Sequence, residues 1–138
     1  MHTDEIKIIM TNESFKEKIE LLSHLSDVFE SYNKNITDLD EIISLLIGYA
    51  INSESDDLTV EILETICKAQ TYQDTSNVNF ERISEVIERI SENILPRFID
   101  VLSYTYDKKF IPVILRFKNH QNKNVQQAVK EALIELGT

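Results

Sequence analysis

The chain has 138 residues, with 24 Asp and Glu against 14 Lys and Arg, for a formal net charge of −10. At 42% hydrophobic residues it is too apolar for a disordered chain. With only two glycines and two prolines it lacks the turn residues of an all-β or glycine-loop α/β fold. The acidic balance argues against binding nucleic-acid phosphates, which takes basic patches. The single cysteine, Cys67, excludes a disulfide framework and a multi-thiolate metal site.

The start, Met1-His2-Thr3-Asp4-Glu5, has neither the basic nor the apolar segment of a secretion signal. Wholly apolar runs are too short to span a membrane. The expectation is a cytoplasmic protein without membrane contact, folded as one helical domain over residues 1–138.

In chain order, residues 1–11 read as a short lead-in around Ile8-Ile9-Met10. Asn12 or Ser14 caps a long helix whose apolar positions are Phe15, Ile19, Leu22, Leu25 or Val28, Phe29 and Tyr32. Asn33-Lys34-Asn35 ends it. Thr37 caps the next helix, with Asp38, Asp40 and Glu41 in its first turn, where the helix dipole favours anions. The stretch Leu39 to Ile51 is apolar around most of its circumference and is expected to be central. A polar linker, residues 52–57, leads to a third helix through Leu58, Ile62, Ile66 and Ala69. Residues 71–79 form the one long break.

A regular amphipathic helix is predicted next, through Phe80, Ile83, Val86, Ile87, Ile90 and Ile94. Pro96 either opens a new helix, Leu95 to Tyr104, or kinks a continuous one. Phe110 to Phe117 reads as a helix with Pro112 in its first turn. Val125, Ala128, Val129, Ala132, Leu133 and Leu136 mark a last helix ended by Gly137. The expectation is an all-α fold of six to seven helices in antiparallel pairs, with no strand. Phe15, Phe29, Phe98, Phe110 and Phe117 sit in apolar stripes and are expected in the core.

Nothing in the sequence forms a catalytic or metal-binding pattern. His2, His24 and His120 are far apart and read as exposed polar residues. Cys67 shares an apolar face with Leu63 and Ile66 and reads as a small core residue. Asp38-x-Asp40-Glu41 lacks the glycine and the later Glu of a calcium loop. There is no phosphate loop, HExxH or GxSxG. No enzyme, cofactor or metal is expected.

Charge is unevenly spread. Residues 35–67 hold Asp38, Asp40, Glu41, Glu54, Asp56, Asp57, Glu61 and Glu64, and not one Lys or Arg. Asp57, Glu61 and Glu64 fall at i, i+4 and i+7 and share one helix face. Like charges so placed repel, and a basic partner would relieve them. Asp38, Asp40, Asp56 and Asp57 also suit helix N-termini, whereas Glu61 and Glu64 lie beyond the first turn. A second row, Glu81, Glu85, Glu88 and Glu92, is interleaved with Arg82 and Arg89 and reads as a solvated face. Tyr72, Tyr104 and Tyr106 fall at helix ends or in loops, where exposed tyrosines anchor interfaces. With Glu81 and Glu85, these residues and the eight acids are the candidate partner-binding set.

The segment from Phe110 to Phe117, a polar turn, and then Val125-Gln126-Gln127-Ala128-Val129-Lys130-Glu131-Ala132-Leu133 resembles a HEAT-type repeat. That family pairs a first helix carrying an early proline with a second patterned valine, alanine, alanine-leucine. A looser upstream copy runs Ile42 to Ala50 and then Val60, Leu63 and Cys67. Val60 and Val125 are 65 positions apart, as two units of a repeat of about 20–50 residues would be. Pro96 also looks like a first-helix proline, so the middle has no fixed phase. The resemblance implies a short HEAT-like α-solenoid that presents a surface. The plain alternative is an irregular helical bundle with one such hairpin.

A small, acidic, helical chain of this kind resembles the immunity proteins of bacterial toxin systems of the contact-dependent growth-inhibition type. The resemblance implies that it binds and neutralises a basic toxin domain, of nuclease type, at the C-terminus of a secreted exoprotein. The other expectation is a scaffold or adaptor module holding a regulatory protein or peptide.

Overall fold

The structure, a computed structural model, describes residues 3–31 and 36–138. The Tyr32 end of the first stripe, the Asn33-Lys34-Asn35 stop and His2 lie outside the described residues. Every regular element among the described residues is helical. The described residues form eight α-helices against the six to seven expected: α1 (Thr3–Asn12), α2 (Phe15–Glu30), α3 (Leu39–Asn52), α4 (Asp56–Tyr72), α5 (Glu81–Val86), α6 (Leu95–Ser103), α7 (Ile111–Leu115) and α8 (Lys123–Glu135). By their internal contacts they form two compact units, Met1–Asn79 and Phe80–Thr138.

The first unit stacks two helix pairs. The expected lead-in is itself a helix, α1. Its buried face is Ile6 and Met10, one turn apart, and not the run Ile8-Ile9-Met10, whose Ile8 is exposed. Ser14 caps α2: its hydroxyl oxygen accepts from Glu17 N–H at 3.3 Å. Leu21, Leu22, Leu25 and Phe29 make the buried stripe of α2, while Phe15, expected in the core, is exposed on the first turn. Asp38, not Thr37, precedes α3, and it is left-handed at φ 63°. Asp tolerates that conformation where a β-branched Thr resists it. The central α3 buries Ile42, Ile43, Leu46, Ile47 and Ala50, and Ser55 caps α4 by accepting from Leu58 N–H at 3.3 Å.

The three residues between α3 and α4 force these packed helices to run antiparallel. The α2–α4 contact runs the other way. Thr65 Oγ1 lies 3.3 Å from the Leu22 carbonyl and 2.9 Å from Ser26 Oγ. Further along, Lys68 Nζ reaches Glu30 at 3.3 Å, and the Gln73 side-chain amide donates to the Phe29 carbonyl at 2.7 Å. Both sets of partners ascend together, so α2 and α4 are parallel. With α1 packed on α2 and on α3, the unit has the scheme of stacked helical repeats: first helix on first, second on second. The copy suspected at Ile42–Cys67 is the second of these pairs.

In the second unit the helix expected from Phe80 to Ile94 is broken. α5 ends at Val86, a 3-10 turn covers Ile87–Arg89, and Ile90 is extended at ψ 137°. The β-branched run Ile83, Val86, Ile87 and Ile90 weakens helix propensity. The Ser91 carbonyl then accepts from Ile94 and Leu95 N–H, beginning the next helix. Pro96 sits in the first turn of α6, where a missing N–H removes no helical bond. It therefore opens a new helix and does not kink a continuous one.

α7 is only five residues, so α8 packs chiefly on α6. The expected hairpin partner, residues 110–117, does contact α8 through α7, but as the smaller of its two supports. Ile114, Val125, Ala128, Val129 and Ala132 are buried, but Leu115 is exposed and Phe117 is only half-buried. Gly137 ends α8 as expected: at φ +81° it lets Gly137 N–H reach the Ile134 carbonyl and Thr138 N–H the Leu133 carbonyl. Ala128 is 5% exposed. Ala128→Leu should overpack this face of α8 and destabilise by about 1–3 kcal/mol in urea unfolding. A neutral result would mean that α8 is loosely packed.

Candidate protein-binding surface

The division into two units coincides with a division of charge. The first unit holds 16 acidic and 5 basic residues, a net of −11, and the second 8 and 9, a net of +1. In the second unit three acids, Glu81, Asp107 and Glu88, have a cation beside them. Lys109 Nζ lies 3.0 Å from Glu81 and 3.5 Å from Asp107, and Arg116 lies 2.9 Å from Glu88. The Glu81 hydrogen bond, ahead of other causes, raises the Lys109 pKa. In the first unit Asp38, Asp40, Glu41, Glu54, Asp56, Asp57 and Glu61 pair with no described cation. The local cause is the absence of Lys and Arg from residues 35–67.

The eight acids do not form one tight patch. Because α3 and α4 are antiparallel, Asp38, Asp40 and Glu41 lie at one end of the pair and Glu54, Asp56 and Asp57 at the other. At about 1.5 Å per residue the 14 residues of α3 put roughly 20 Å between those ends. All six are exposed. Half-buried Glu61 and exposed Glu64 continue the row along α4 from Asp57. The acids thus line the length of the helix pair.

At the α3 end the structure adds a residue that the sequence did not suggest. Asp74, from the loop after α4, joins Asp38, Asp40 and Glu41 around an open depression of about 350 Å³. The Ser76 hydroxyl donates to Asp74 Oδ1 at 2.6 Å and the Ser76 N–H at 3.0 Å. These two donors hold the Asp74 carboxyl below its usual range. Only the fold joins residue 74 to residue 38; the sequence signal was limited to an Asp and a Ser in a polar break.

The row Glu81, Glu85, Glu88 and Glu92 is not one helix face: Glu81 and Glu85 are on α5, Glu88 is in the 3-10 turn and Glu92 is in the turn beyond it. Glu81 and Glu85 are exposed. Tyr72 ends α4, half-buried, with Lys68 Nζ 5.9 Å from its ring centre. Tyr104 is half-buried at the end of α6. Tyr106 is 63% exposed and left-handed at φ 55°. Cys67, expected in the core, is half-buried, as is His120, whose Nδ1 accepts from Asn122 N–H at 3.0 Å.

Among the described residues no group of three or more His, Cys, Asp or Glu side chains is placed to hold a metal ion. No described helix is long and apolar enough to cross a membrane. No protein-family model matches the chain, and neither a curated protein nor a solved structure does.

Proposed function

We propose that this protein is a cytoplasmic immunity protein that binds and neutralises a basic toxin domain, of the kind carried at the C-terminus of secreted exoproteins in contact-dependent growth inhibition. The observation that carries this reading is that Asp38, Asp40, Glu41, Glu54, Asp56, Asp57 and Glu61, along α3 and α4, pair with no described cation. A nuclease-type toxin holds phosphates with Lys and Arg. Carboxylates offer those side chains the same charge-assisted hydrogen bonds. The mechanism is occlusion: the acidic row covers the toxin's basic cleft and keeps nucleic acid out. Opposite charge also speeds encounter, by about tenfold or more at low salt. Stacked helix pairs supply a broad, preformed face for such a partner. The role is binding and not catalysis.

The test is titration against the product of the neighbouring reading frame at two salt concentrations. Between about 0.01 M and about 1 M salt the Debye length falls from about 30 Å to about 3 Å. The dissociation constant should rise at least about tenfold over that range. A scaffold or adaptor that grips a peptide by apolar side chains would bind with little salt response. That outcome would overturn the immunity reading.

A further inference from the structure

The main helix contact of the second unit, α6 on α8, carries a charge conflict. Asp100 of α6 and Glu131 and Glu135 of α8 converge on a cleft of about 260 Å³. Asp100 is half-buried there, and the two glutamates are exposed. Gln127, one turn before Glu131, donates its side-chain amide to Glu131 Oε1 at 3.0 Å. Along the chain Arg97 lies one turn before Asp100, and Tyr104, one turn after it, lines the same cleft. Arg97 pulls toward ionisation, but burial first and Glu131 second outweigh it and push the Asp100 carboxyl up to about 6.

We propose that Asp100, Glu131 and Glu135 form a proton-operated latch on the α6–α8 contact: with a proton on Asp100 the helices close, and without it like charges loosen them. The sign follows from linkage. A carboxyl whose folded pKa lies above its unfolded value takes up a proton on folding. Its stabilising contribution is complete below the ordinary carboxylate value and is lost as pH rises through about 6. Ion-paired carboxylates behave in the opposite way, weakening the fold on acidification. The latch is independent of the toxin-binding reading, because its groups lie in the second unit and need no partner.

The test uses the full chain, with hydrogen exchange at the α6 and α8 amides and carbon NMR of the Asp100 carboxyl. From about pH 7.5 to about pH 5, one unit below the Asp100 midpoint of about 6, exchange in α6 and α8, corrected for its intrinsic chemistry, should slow by about tenfold. Asp100→Asn mimics the protonated state and should give the slow exchange at both pH values. Glu85→Gln removes an exposed carboxyl of the same unit and should keep the wild-type response. Glu131→Gln should lower the midpoint of the Asp100 titration. The latch is overturned if Asp100→Asn keeps the wild-type pH response, or if Glu85→Gln abolishes it equally. A wild-type Asp100 midpoint near the ordinary value of about 4 would also overturn it, even if the asparagine variant did not fold.

Discussion

Phe29→Ala should destabilise the protein by about 3–5 kcal/mol, the range for deleting a buried phenylalanine ring. Phe29 is fully buried and is among the largest side chains with no exposure. Its carbonyl would still accept the Gln73 amide, so the loss is one of packing alone. The cavity has little freedom to collapse, because α2 is tied to α4 on both sides of it. The Ser26–Thr65 pair holds one side, and the Gln73 and Lys68 contacts hold the other. Against a typical total of about 5–15 kcal/mol, such a loss leaves many domains close to unfolding. Urea unfolding should show a lower midpoint with an unchanged slope. A loss under about 1 kcal/mol would mean that the α2–α4 contact is not a packed core.

The second large effect concerns binding. Asp57→Lys combined with Glu61→Lys should weaken the complex with a basic toxin domain by roughly 3 kcal/mol or more, about a hundredfold in Kd. Both side chains lie in the uncompensated row on α4, so reversal turns attraction into repulsion. The fold should survive. Asp57 is exposed, and a lysine in the first turn of α4 costs only about 0.3–1 kcal/mol against the helix dipole. Thermal melting separates that small cost from the binding loss, which should shrink as salt screens the row. A double variant that binds like the wild type would place the interface away from α4. Glu81, Glu85, Tyr104 and Tyr106 would then be the residues to change next.

Long elements with clear caps could be read from the sequence. Ser14, one of two candidate caps with Asn12, and Gly137 end α2 and α8, and the stripe of α2 and the all-apolar girth of α3 identified those helices. Short elements could not, because their state is decided by their neighbours. α1 offers only Ile6 and Met10 as a buried face and depends on α2 and α3 to cover it. In α5 the apolar period continued past Val86, where the β-branched residues end the helix. The contact of α8 with α6 was hidden because sequence adjacency favoured α7, which proves too short to be its main support. Of the candidate site, the acidic row was visible as a run without bases, but its spread over both ends of a hairpin required the antiparallel geometry. Asp100 also left a signal: a carboxylate inside the apolar run Phe98-Ile99-Asp100-Val101-Leu102. A charge embedded in a buried helix is a common mark of a shifted pKa.

The scarcity of glycine has a consequence at the turn after α6. Tyr106 adopts a left-handed conformation that costs most L-residues about 1–2 kcal/mol, and its largely exposed ring gains little from packing in return. Tyr106→Gly relieves that strain but enlarges the unfolded ensemble, which takes back about 0.5–1 kcal/mol. The net expected result is a more heat-resistant protein, by up to about 1 kcal/mol in thermal unfolding. Selection for stability alone would favour glycine at this position. A strained, exposed tyrosine there fits a trade between durability and recognition if its ring serves the proposed interface. A glycine variant that melts higher yet protects less well against toxin would expose that trade directly.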